Sequence, residues 1–426
     1  MYHNFNKRYL LLFIFCCLGF TSRAQKSNRE NSPYTRFGIG EFRNGVNTVL
    51  KGMGSISSAY SNEYNVNTDN PASYADLKLT TYEAAMEGSK RTIFSNGNSY
   101  NTGTVTLSYL TIGLPVNKHI GLVLGLRPYT RTYYNSQDSL DMPGLGPSIR
   151  GYYGDGGTNF AFVGLAGKIK GFSAGINFGY LFGTTNYSSS LSKQYDTANY
   201  FNSAFSKYTR IGDLYYKGGV MYQTNLTKKI GLRVGGTFTT QQNVNATKSE
   251  YQIIYNDYSG VTAMDTAVKN ENVKGVITLP STYTLGIQVY NAGKWAAGVD
   301  FATSKWSSYR NFGSIDSVVD RTMKIAVGGE YTPNATSIYK YLSRVTYRLG
   351  FYYGQDYIEL HNTALNYYAV TLGASLPFKR SYDRVHVALE LGKRGTESNG
   401  LIRENFLKFT VGMSLNDKWF IKRKYD

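Results

Sequence analysis

The feature that most restricts the possible fold is an alternation of apolar and polar residues that returns throughout the chain. Residues 383–393 show it clearly, with Val or Leu at every second position through the middle of the run. Because successive side chains of a β-strand point to opposite faces, each run predicts a strand with one apolar face. About fourteen such runs follow one another, at residues 79–88, 102–115, 119–133, 157–168, 171–187, 206–226, 230–243, 278–291, 294–306, 319–333, 342–356, 365–378, 383–393 and 402–415.

The connections between these runs alternate in length. Short turns lie at residues 116–118, 169–171, 227–229, 291–293 and 379–382. Long loops rich in Tyr, Asn and Ser are predicted at 134–156, 188–205, 244–277 and 307–318. Short periplasmic turns opposite long outer loops are typical of bacterial outer-membrane barrels. We therefore predict an all-β fold, a transmembrane antiparallel β-barrel of about fourteen strands.

The alternative fold is a soluble, secreted β-sandwich, whose strands are usually about 3–10 residues long and whose loops need not alternate. Many of the runs here are longer than that. Aromatic residues at strand ends also fit the girdles that mark the two membrane interfaces. They are Tyr133, Tyr134, Tyr152, Tyr153, Trp295, Trp306, Tyr352 and Tyr353. The barrel is the better interpretation.

The first residues predict an export signal. The basic pair Lys7-Arg8 precedes a short apolar core at residues 9–20, and small residues at 21–24 offer a cleavage site. The apolar core is too short to cross a bilayer as a helix. Residues 1–24 are therefore predicted to be a cleaved signal peptide, and the mature chain is expected in the outer membrane of a diderm bacterium.

Cysteine usage and charge exclude several functions. Cys16 and Cys17 both lie in the predicted signal, so the mature chain is expected to form no disulfide. Signal removal also takes away three basic residues, which lowers the net charge from +18 to +15. Most of this charge is spread among turns and strands, with no recognisable nucleic-acid-binding fold. Anionic lipid head groups or acidic partners are the better match, and no nucleic-acid partner is predicted.

The sequence offers no convincing catalytic or metal-binding constellation. Apart from the predicted signal, the histidines are His119, His361 and His386, which lie in separate runs or loops without metal-ligand spacing. No nucleophile elbow, phosphate-binding loop or His-Glu-x-x-His motif is present. Spacing alone leaves an Asp/Ser/His hydrolase inside the barrel open, but no triad stands out. We predict no enzyme, no catalytic residue, no metal and no cofactor.

A polar segment at residues 25–77 separates the predicted signal from the first strand, and it ends in Asn70-Pro71-Ala72. Pro71 fixes its own φ and favours an extended Asn70, whose side chain can bond exposed backbone groups. We predict that this segment is a plug, or hatch, inside a barrel wall at residues 78–416. Residues 417–426 would form a periplasmic tail, either an interfacial anchor or a docking handle.

Asn70-Pro71-Ala72, placed after a glycine-containing lead-in and directly before the first strand, resembles the hatch motif of FadL-type outer-membrane proteins. The resemblance covers the whole architecture of signal peptide, plug and fourteen-stranded barrel. It implies that hydrophobic ligands enter the lumen near the outer loops and leave sideways into the bilayer when the hatch shifts. It also implies gating roles for Asn70, Pro71 and Ala72. The family includes PorV-like members, which act in type IX secretion by holding or shuttling protein cargo.

The third predicted strand contains Arg127-Pro128. No apolar ligand pocket is evident there, and in this respect the chain departs from the FadL-type pattern. Because proline removes a ladder donor, Pro128 would open a side window or form a bulge near the outer rim. Inward-facing polar residues would either line a conduit or pair with one another and with the plug. These residues are Arg127, Lys324, Glu330, Arg348, Glu390 and Lys408.

The leading functional hypothesis is passive uptake of small hydrophobic, fatty-acid-like compounds through a monomeric barrel gated by the hatch. The alternative is a non-transporting, PorV-like barrel that binds protein partners in type IX secretion or envelope assembly. Ligand-binding or gating residues are predicted at Asn70, Pro71, Ala72, Arg127 and Pro128. Expected partners are outer-membrane lipid, a small hydrophobic ligand and, in the alternative, an envelope or secretion protein.

Overall fold

The computed structural model describes residues 30–95, 97–142, 146–193, 202–256 and 262–419, so the predicted signal peptide lies outside the described residues. Fourteen long strands form the wall. They are β1 (Thr80–Ser95), β2 (Asn98–Pro115), β3 (Ile120–Met142), β4 (Gly146–Ile169), β5 (Phe172–Lys193), β6 (Asn202–Asn225), β7 (Gly231–Thr239 and Gln242–Asn256), β8 (Thr262–Leu279 and Thr282–Asn291), β9 (Trp295–Lys305), β10 (Arg321–Tyr331), β11 (Thr346–Leu360), β12 (Thr363–Pro377), β13 (Arg384–Gly395) and β14 (Arg403–Asp417).

The sheet closes on itself, and every neighbouring pair of wall strands is antiparallel. β14 pairs with β1 from Arg403 opposite Phe94 to Asp417 opposite Thr80, which completes the barrel. Closure leaves the wall without the two free edges of an open sheet. The predicted barrel of about fourteen strands is thus confirmed. The predicted boundary at residue 77 remains a prediction, and the first strand begins at Thr80.

The two faces of the wall differ as the alternation predicts. On β14, Leu407, Phe409 and Val411 point outward and are 37–46% exposed, whereas the inward Thr410 and Ser414 are fully buried. An apolar outer face over a polar inner face suits a wall that contacts lipid. None of the described helices is long and apolar enough to cross a membrane.

The prediction of long loops is wrong for three of the four segments, because their described residues form strands. Strand pairing continues through residues 134–142 with 146–156, through 188–193, and through 244–256 with 262–277. These stretches contain few apolar residues, so the alternation that predicts a lipid-facing strand stops before the ladder does. Backbone hydrogen bonds between neighbouring strands do not require apolar side chains. The described strands therefore extend well beyond the apolar belt.

The interface-girdle prediction fails for Trp306, which is only 5% exposed. A single 3-10 turn at Trp306–Ser308 follows directly after β9 and turns the chain into the lumen. There the indole stacks on Tyr357, with 4.2 Å between ring centroids. Tyr134 and Tyr352 also face inward and are buried, because alternation sends one member of each adjacent aromatic pair to the lumen.

The N-terminal segment, defined here as residues 30–79, lies inside the barrel. It contains a 3-10 turn at Pro33–Arg36, a two-residue strand at Glu41–Phe42, a short helix at Thr48–Lys51 and a 3-10 helix at Pro71–Asp76. Most of its residues are buried, including polar ones. Its backbone groups bond to one another in short turns, to the wall and to side chains of the segment itself.

The backbone of this segment runs around the inner wall against a series of inward-facing glycines. A side chain at any of them would collide with the segment or with side chains packed beside it. Thr48 lies against β14, Met53 against β10, and Tyr74 against β3 and β4. The glycines that face the segment are Gly113, Gly121, Gly164, Gly175, Gly219, Gly235, Gly286, Gly298, Gly328, Gly350, Gly373 and Gly412. Nearly every strand therefore contributes to seating the segment.

We predict that Gly164→Leu destabilises the protein, because its Cβ would enter the space of the Tyr74 ring. Overpacking of this kind costs about 1–3 kcal/mol in the free energy of unfolding. Gly167→Leu is the matched control on the same strand, since nothing lies within 4 Å of its added Cβ. Denaturant unfolding of both variants measures the difference. Equal stabilities would contradict the tight seating of the segment.

Candidate functional site

The wall parts between β2 and β3. Their ladder holds only from Pro115 opposite Gly121 to Leu110 opposite Leu126. Beyond that pair, β2 continues to Asn98 with strand pairing to β1 alone, and β3 continues to Met142 with strand pairing on its other side to β4. Across the gap the Arg131 side chain donates a hydrogen bond to the Thr104 hydroxyl at 3.4 Å. We call the space between the parted strands the lateral gap.

The predicted residues Arg127 and Pro128 lie where the strands separate. Both follow directly on Leu126, the last β3 residue paired with β2. Proline has no backbone N–H, and the β3–β4 ladder shifts its register between Pro128 and Thr130. Arg127 points into the lumen and is 7% exposed. The structure therefore places Pro128 at both a bulge and the lower end of an opening in the ladder.

The N-terminal segment covers the edge of β3 that β2 leaves. We call residues 30–45 the strap. Within it, Glu41 and Phe42 pair with Arg131 and Thr130 as a short antiparallel strand. The Arg43 N–H donates to the carbonyl of Tyr129 at 2.9 Å. An added strand satisfies backbone groups that an open edge would leave unpaired.

The outer end of the strap reaches both sides of the lateral gap. Asn31 donates from Nδ2 to the carbonyl of Asn135 at 2.9 Å, and its Oδ1 accepts from the Asn135 N–H at 3.1 Å. On the other side, the Asn31 N–H donates to the hydroxyl of Thr102 on β2 at 3.2 Å. The Ser32 N–H donates to the carbonyl of Tyr133 on β3 at 3.0 Å. The strap is therefore hydrogen-bonded to both strands that border the gap.

Buried ions fix the strap to the wall. Arg91 on β1 is almost completely buried and donates to Glu30 at 2.9 Å and to Glu41 at 2.8 Å, both in the strap. It also donates to Glu404 on β14 at 2.5 Å. Arg394 on β13 lies 3.9 Å from Glu41 and 3.6 Å from Glu404. We call these five residues the anchor cluster.

The anchor cluster is stable only with the strap in place. Burial by itself would raise the pKa of Glu41, but the guanidinium groups of Arg91 and Arg394 outweigh it and hold that pKa well below the usual range. The carboxylate is therefore ionised at neutral pH. A buried charge without a partner is costly, so withdrawal of the strap would leave Arg91 poorly compensated.

The hatch motif lies against β5 and β6, where Gly175 faces Pro71 and Gly219 faces Asn70. Asn70 is fully buried and caps the 3-10 helix, because its Oδ1 accepts from the Ala72 N–H at 3.0 Å. Its Nδ2 donates to the carbonyls of Ser58 at 2.5 Å and Val220 at 3.3 Å. The Pro71 carbonyl carbon would lie 2.7 Å from a Cβ at Gly175. Asn70 therefore joins two parts of the segment to the wall.

A cavity of about 380 Å³, here called the central cavity, lies inside the lumen behind the strap. Strap residues 41–45 form one side of it, and Arg127 and Tyr129 of β3 form the adjoining side. Its wall also contains Lys217, Lys324, Glu390 and Lys408 together with several aromatic rings. Opening the strap would connect this cavity to the lateral gap.

A second, apolar hollow of about 820 Å³ lies on the outer side of the wall. Leu110 and Leu126, the last paired residues below the gap, both line it, and most of its other side chains face outward. These include Tyr82, Leu124, Val163, Phe178, Tyr180 and Met413. We call it the outer depression. The lateral gap thus begins next to an apolar surface outside and a charged cavity inside.

The predicted site residues form two groups that do not touch. Asn70, Pro71 and Ala72 lie at the hatch, whereas Arg127 and Pro128 lie at the lateral gap. Sequence reasoning missed the strap and the anchor cluster altogether. A partial signal existed, because Glu83, Glu87 and Arg91 occupy alternate inward positions of β1. The predicted strand at residues 79–88 ended before Arg91. The ion-pair partners of Arg91, Glu30 and Glu404, are distant from it in the sequence.

Arg91→Met is expected to release the strap. The change leaves Glu30, Glu41 and Glu404 buried without their main cation, which costs about 3–5 kcal/mol. Faster hydrogen exchange at the Arg43 amide, together with a lower free energy of unfolding, measures the effect. Arg403→Met is the control, because its ion pair with Glu397 is partly exposed and such pairs contribute about 0–1 kcal/mol. Unchanged protection of Arg43 in Arg91→Met would contradict the anchoring role.

Asn70→Ala is expected to lower the free energy of unfolding by about 1–3 kcal/mol, since it removes a helix cap and the hydrogen bonds that Asn70 donates to the carbonyls of Ser58 and Val220. Asn98→Ala, at the exposed start of β2, should change it by no more than about 0.5 kcal/mol. Denaturant titration compares the two. Similar values for both would show that the hatch does not depend on the Asn70 side chain.

The comparisons with known proteins identify relatives of this architecture. A Pseudomonas aeruginosa FadL homologue is 13% identical with a TM-score of 0.58, over 87% of this chain and 98% of that chain. The Ralstonia pickettii toluene transporter TbuX is 12% identical with a TM-score of 0.56, over 89% and 99% of the two chains. The Pseudomonas putida toluene transporter TodX is 15% identical with a TM-score of 0.53, over 89% and 98%.

At these identities the likeness shows the fold alone, and it confirms the FadL-type barrel predicted from the sequence. Membership of the PorV-like group is not confirmed. Comparison with curated proteins found no match. The family model described as BamG matches residues 6–426, almost the whole chain, and the protein therefore belongs to the BamG family.

Proposed function

We propose that this protein is an outer-membrane channel for small hydrophobic compounds, which pass sideways through the lateral gap. The observation that carries the proposal is the end of the β2–β3 ladder at Leu110 and Leu126, directly below Arg127-Pro128. The apolar outer depression adjoins this point outside, and the central cavity lies behind the strap inside. The described conformation is the closed state, with the strap bonded to the free edge of β3.

The solved structures of similar fold support the proposal. TbuX and TodX are described as toluene transporters, and a third similar structure, CymD, as a monoaromatic hydrocarbon channel. In this chain, passage through the lateral gap requires the strap to leave β3. Asn70 of the hatch bonds the Ser58 carbonyl within the same N-terminal segment. The hatch would either stay in place when the strap leaves or move together with it.

A disulfide across the strap tests this gate. Phe42 and Thr130 are directly opposed, and opposed antiparallel residues have Cα separations of about 4.5–5.5 Å, within disulfide range. In Phe42→Cys/Thr130→Cys, oxidation should stop uptake of labelled toluene or decanoate by cells that lack other channels for such compounds. Reduction should restore uptake.

Thr284→Cys/Ala302→Cys is the matched control, since it joins opposed residues of β8 and β9 far from the gap. Its oxidation should leave uptake unchanged. Uptake that is insensitive to oxidation in the strap pair would overturn the lateral route. The absence of any uptake above cells without the protein would overturn the channel itself.

A specific observation favours a second function, a non-transporting barrel that binds an envelope or secretion protein. The lumen is filled by the N-terminal segment, which ion pairs hold at several points besides the anchor cluster. Lys51 pairs with Glu87, Lys168 with Asp76, and Lys217 with Asp69. A permanently seated segment would make the barrel a rigid platform. This alternative would be supported if neither the oxidised nor the reduced protein took up the compounds and if the purified barrel retained a stoichiometric protein partner.

A further inference from the structure

The outward face of the wall changes character at the outer end of the apolar belt. On β5 the outward side chains are apolar from Phe172 to Phe182. This length matches the about 9–11 residues in which a strand crosses the hydrocarbon region of a membrane. Thr184 is the next outward residue, on the side of the membrane away from the short turn that precedes Phe172. Since short turns are periplasmic, Thr184 lies at the head groups of the outer leaflet.

From Thr184 a row of outward residues crosses four neighbouring strands. Thr184 is opposite Arg210 of β6, Arg210 is opposite Thr247 of β7, and Thr247 is opposite Lys274 of β8. Neighbouring strands lie about 4.8 Å apart, so the backbones of Arg210 and Lys274 are about 10 Å apart. Both side chains are exposed and long enough to reach a single phosphate group above the Thr247 hydroxyl.

These four residues line a hollow of about 540 Å³ on the outer side of the wall, here called the rim hollow. Its membrane side is formed by Tyr180 and Phe182, whose side chains are 48% and 38% exposed. A Cβ at Gly212 would lie 2.8 Å from the Tyr180 hydroxyl, so this ring extends across β6 at the glycine. Tyr180 also lines the outer depression. The aromatic surface of the rim hollow therefore continues into the apolar surface below it.

The charge of the rim hollow is positive and unbalanced. No acidic residue lines it among the described residues. In the described part of the chain, neither Arg210 nor Lys274 has a carboxylate within the 4.0 Å that defines an ion pair. Other cations on the same outer strands do have one, since Lys248 lies 3.0 Å from Glu250 and Lys269 lies 3.4 Å from Glu271. The two cations of the rim hollow are therefore available to an anion outside the chain.

From this arrangement we propose that the rim hollow binds the phosphorylated and acylated sugar lipid of the outer leaflet, lipopolysaccharide. Arg210 and Lys274 bind a phosphate group of its lipid A part, and the Thr247 hydroxyl donates to the same group. The acyl chains lie on Tyr180 and Phe182 and continue along the outer depression. A neutral lipid would leave the two cations without a partner, and a soluble anion would leave the rings uncovered. The site lies outside the lumen, so the inference does not depend on the proposed channel.

Matched lipids test the ligand class. Native mass spectrometry of the purified barrel in detergent measures binding of diphosphoryl lipid A, of the same lipid A without phosphate, and of phosphatidylglycerol. Diphosphoryl lipid A should bind at least about tenfold more tightly than the dephosphorylated form, since hydrogen bonds between charged groups contribute enough for that ratio. Phosphatidylglycerol should bind more weakly than diphosphoryl lipid A, because its phosphodiester carries a single charge. Inorganic phosphate at the same concentration should not displace lipid A.

Matched variants test the site. Arg210→Gln/Lys274→Gln should weaken binding of diphosphoryl lipid A by about tenfold or more and leave binding of the dephosphorylated form unchanged. Lys228→Gln/Lys229→Gln is the control, because it removes the same two charges from the exposed periplasmic turn between β6 and β7. Phe182→Ser should weaken binding of both forms of lipid A by the same factor. Denaturant unfolding checks that the barrel is intact, and the exposed Arg210 and Lys274 can be replaced without loss of stability.

Each contrary result overturns a different part of the inference. Equal binding of the two forms of lipid A would overturn phosphate recognition. Phosphatidylglycerol binding as tight as that of diphosphoryl lipid A would overturn the assigned lipid, and displacement by inorganic phosphate would overturn the role of the aromatic surface. Lipid A binding that is unaffected in Arg210→Gln/Lys274→Gln, or equally weakened in the control pair, would overturn the site. None of these results depends on whether the barrel transports a compound.

Discussion

The close approach of the N-terminal backbone to the inner wall is the constraint on which the rest of the structure depends. Side chains at the inward glycines would occupy the space through which residues 48–77 run. With the segment seated, the hatch reaches β5 and β6 through Gly175 and Gly219, and Tyr74 reaches Asn177 with a hydrogen bond of 2.9 Å. Glycine at these positions therefore allows the backbone of the N-terminal segment to approach the wall closely, and the segment and the barrel pack as one unit.

The parted ladder between β2 and β3 leaves an unpaired edge on β3 within the closed wall. An unpaired strand edge inside a membrane carries backbone groups that lipid cannot bond. The strap resolves this for β3 by adding Glu41 and Phe42 as a short strand. It is attached to the wall by ion pairs and by a few backbone hydrogen bonds, all of them non-covalent contacts.

Two kinds of charge share the lumen, and they do different things. The ions of the anchor cluster are paired with one another, since Arg91 meets Glu30, Glu41 and Glu404 within hydrogen-bond distance. Such a cluster specifies where the strap lies, because each ion is costly to bury without the others. Arg127, Lys324 and Lys408 at the central cavity have no such carboxylate partner within the described residues. The wall residues of both groups lie at inward positions, so the same alternation that builds the wall supplies both kinds of charge.

The sequence by itself determined the approximate number of strands, their antiparallel course and the outward face of the apolar runs, because all three follow from local alternation and connection length. It also indicated Pro128 as a ladder break. It could not predict the parts of the strands that extend beyond the apolar belt. Their residues are mostly polar, as in loops, and only the strand pairing in the structure identifies them as strands. Nor could it give the strap or the anchor cluster. Arg91 and Glu404 are 313 residues apart, and Glu41 meets β3 only because β2 has left that edge. Those partners are decided by barrel closure, which alone brings distant inward residues together.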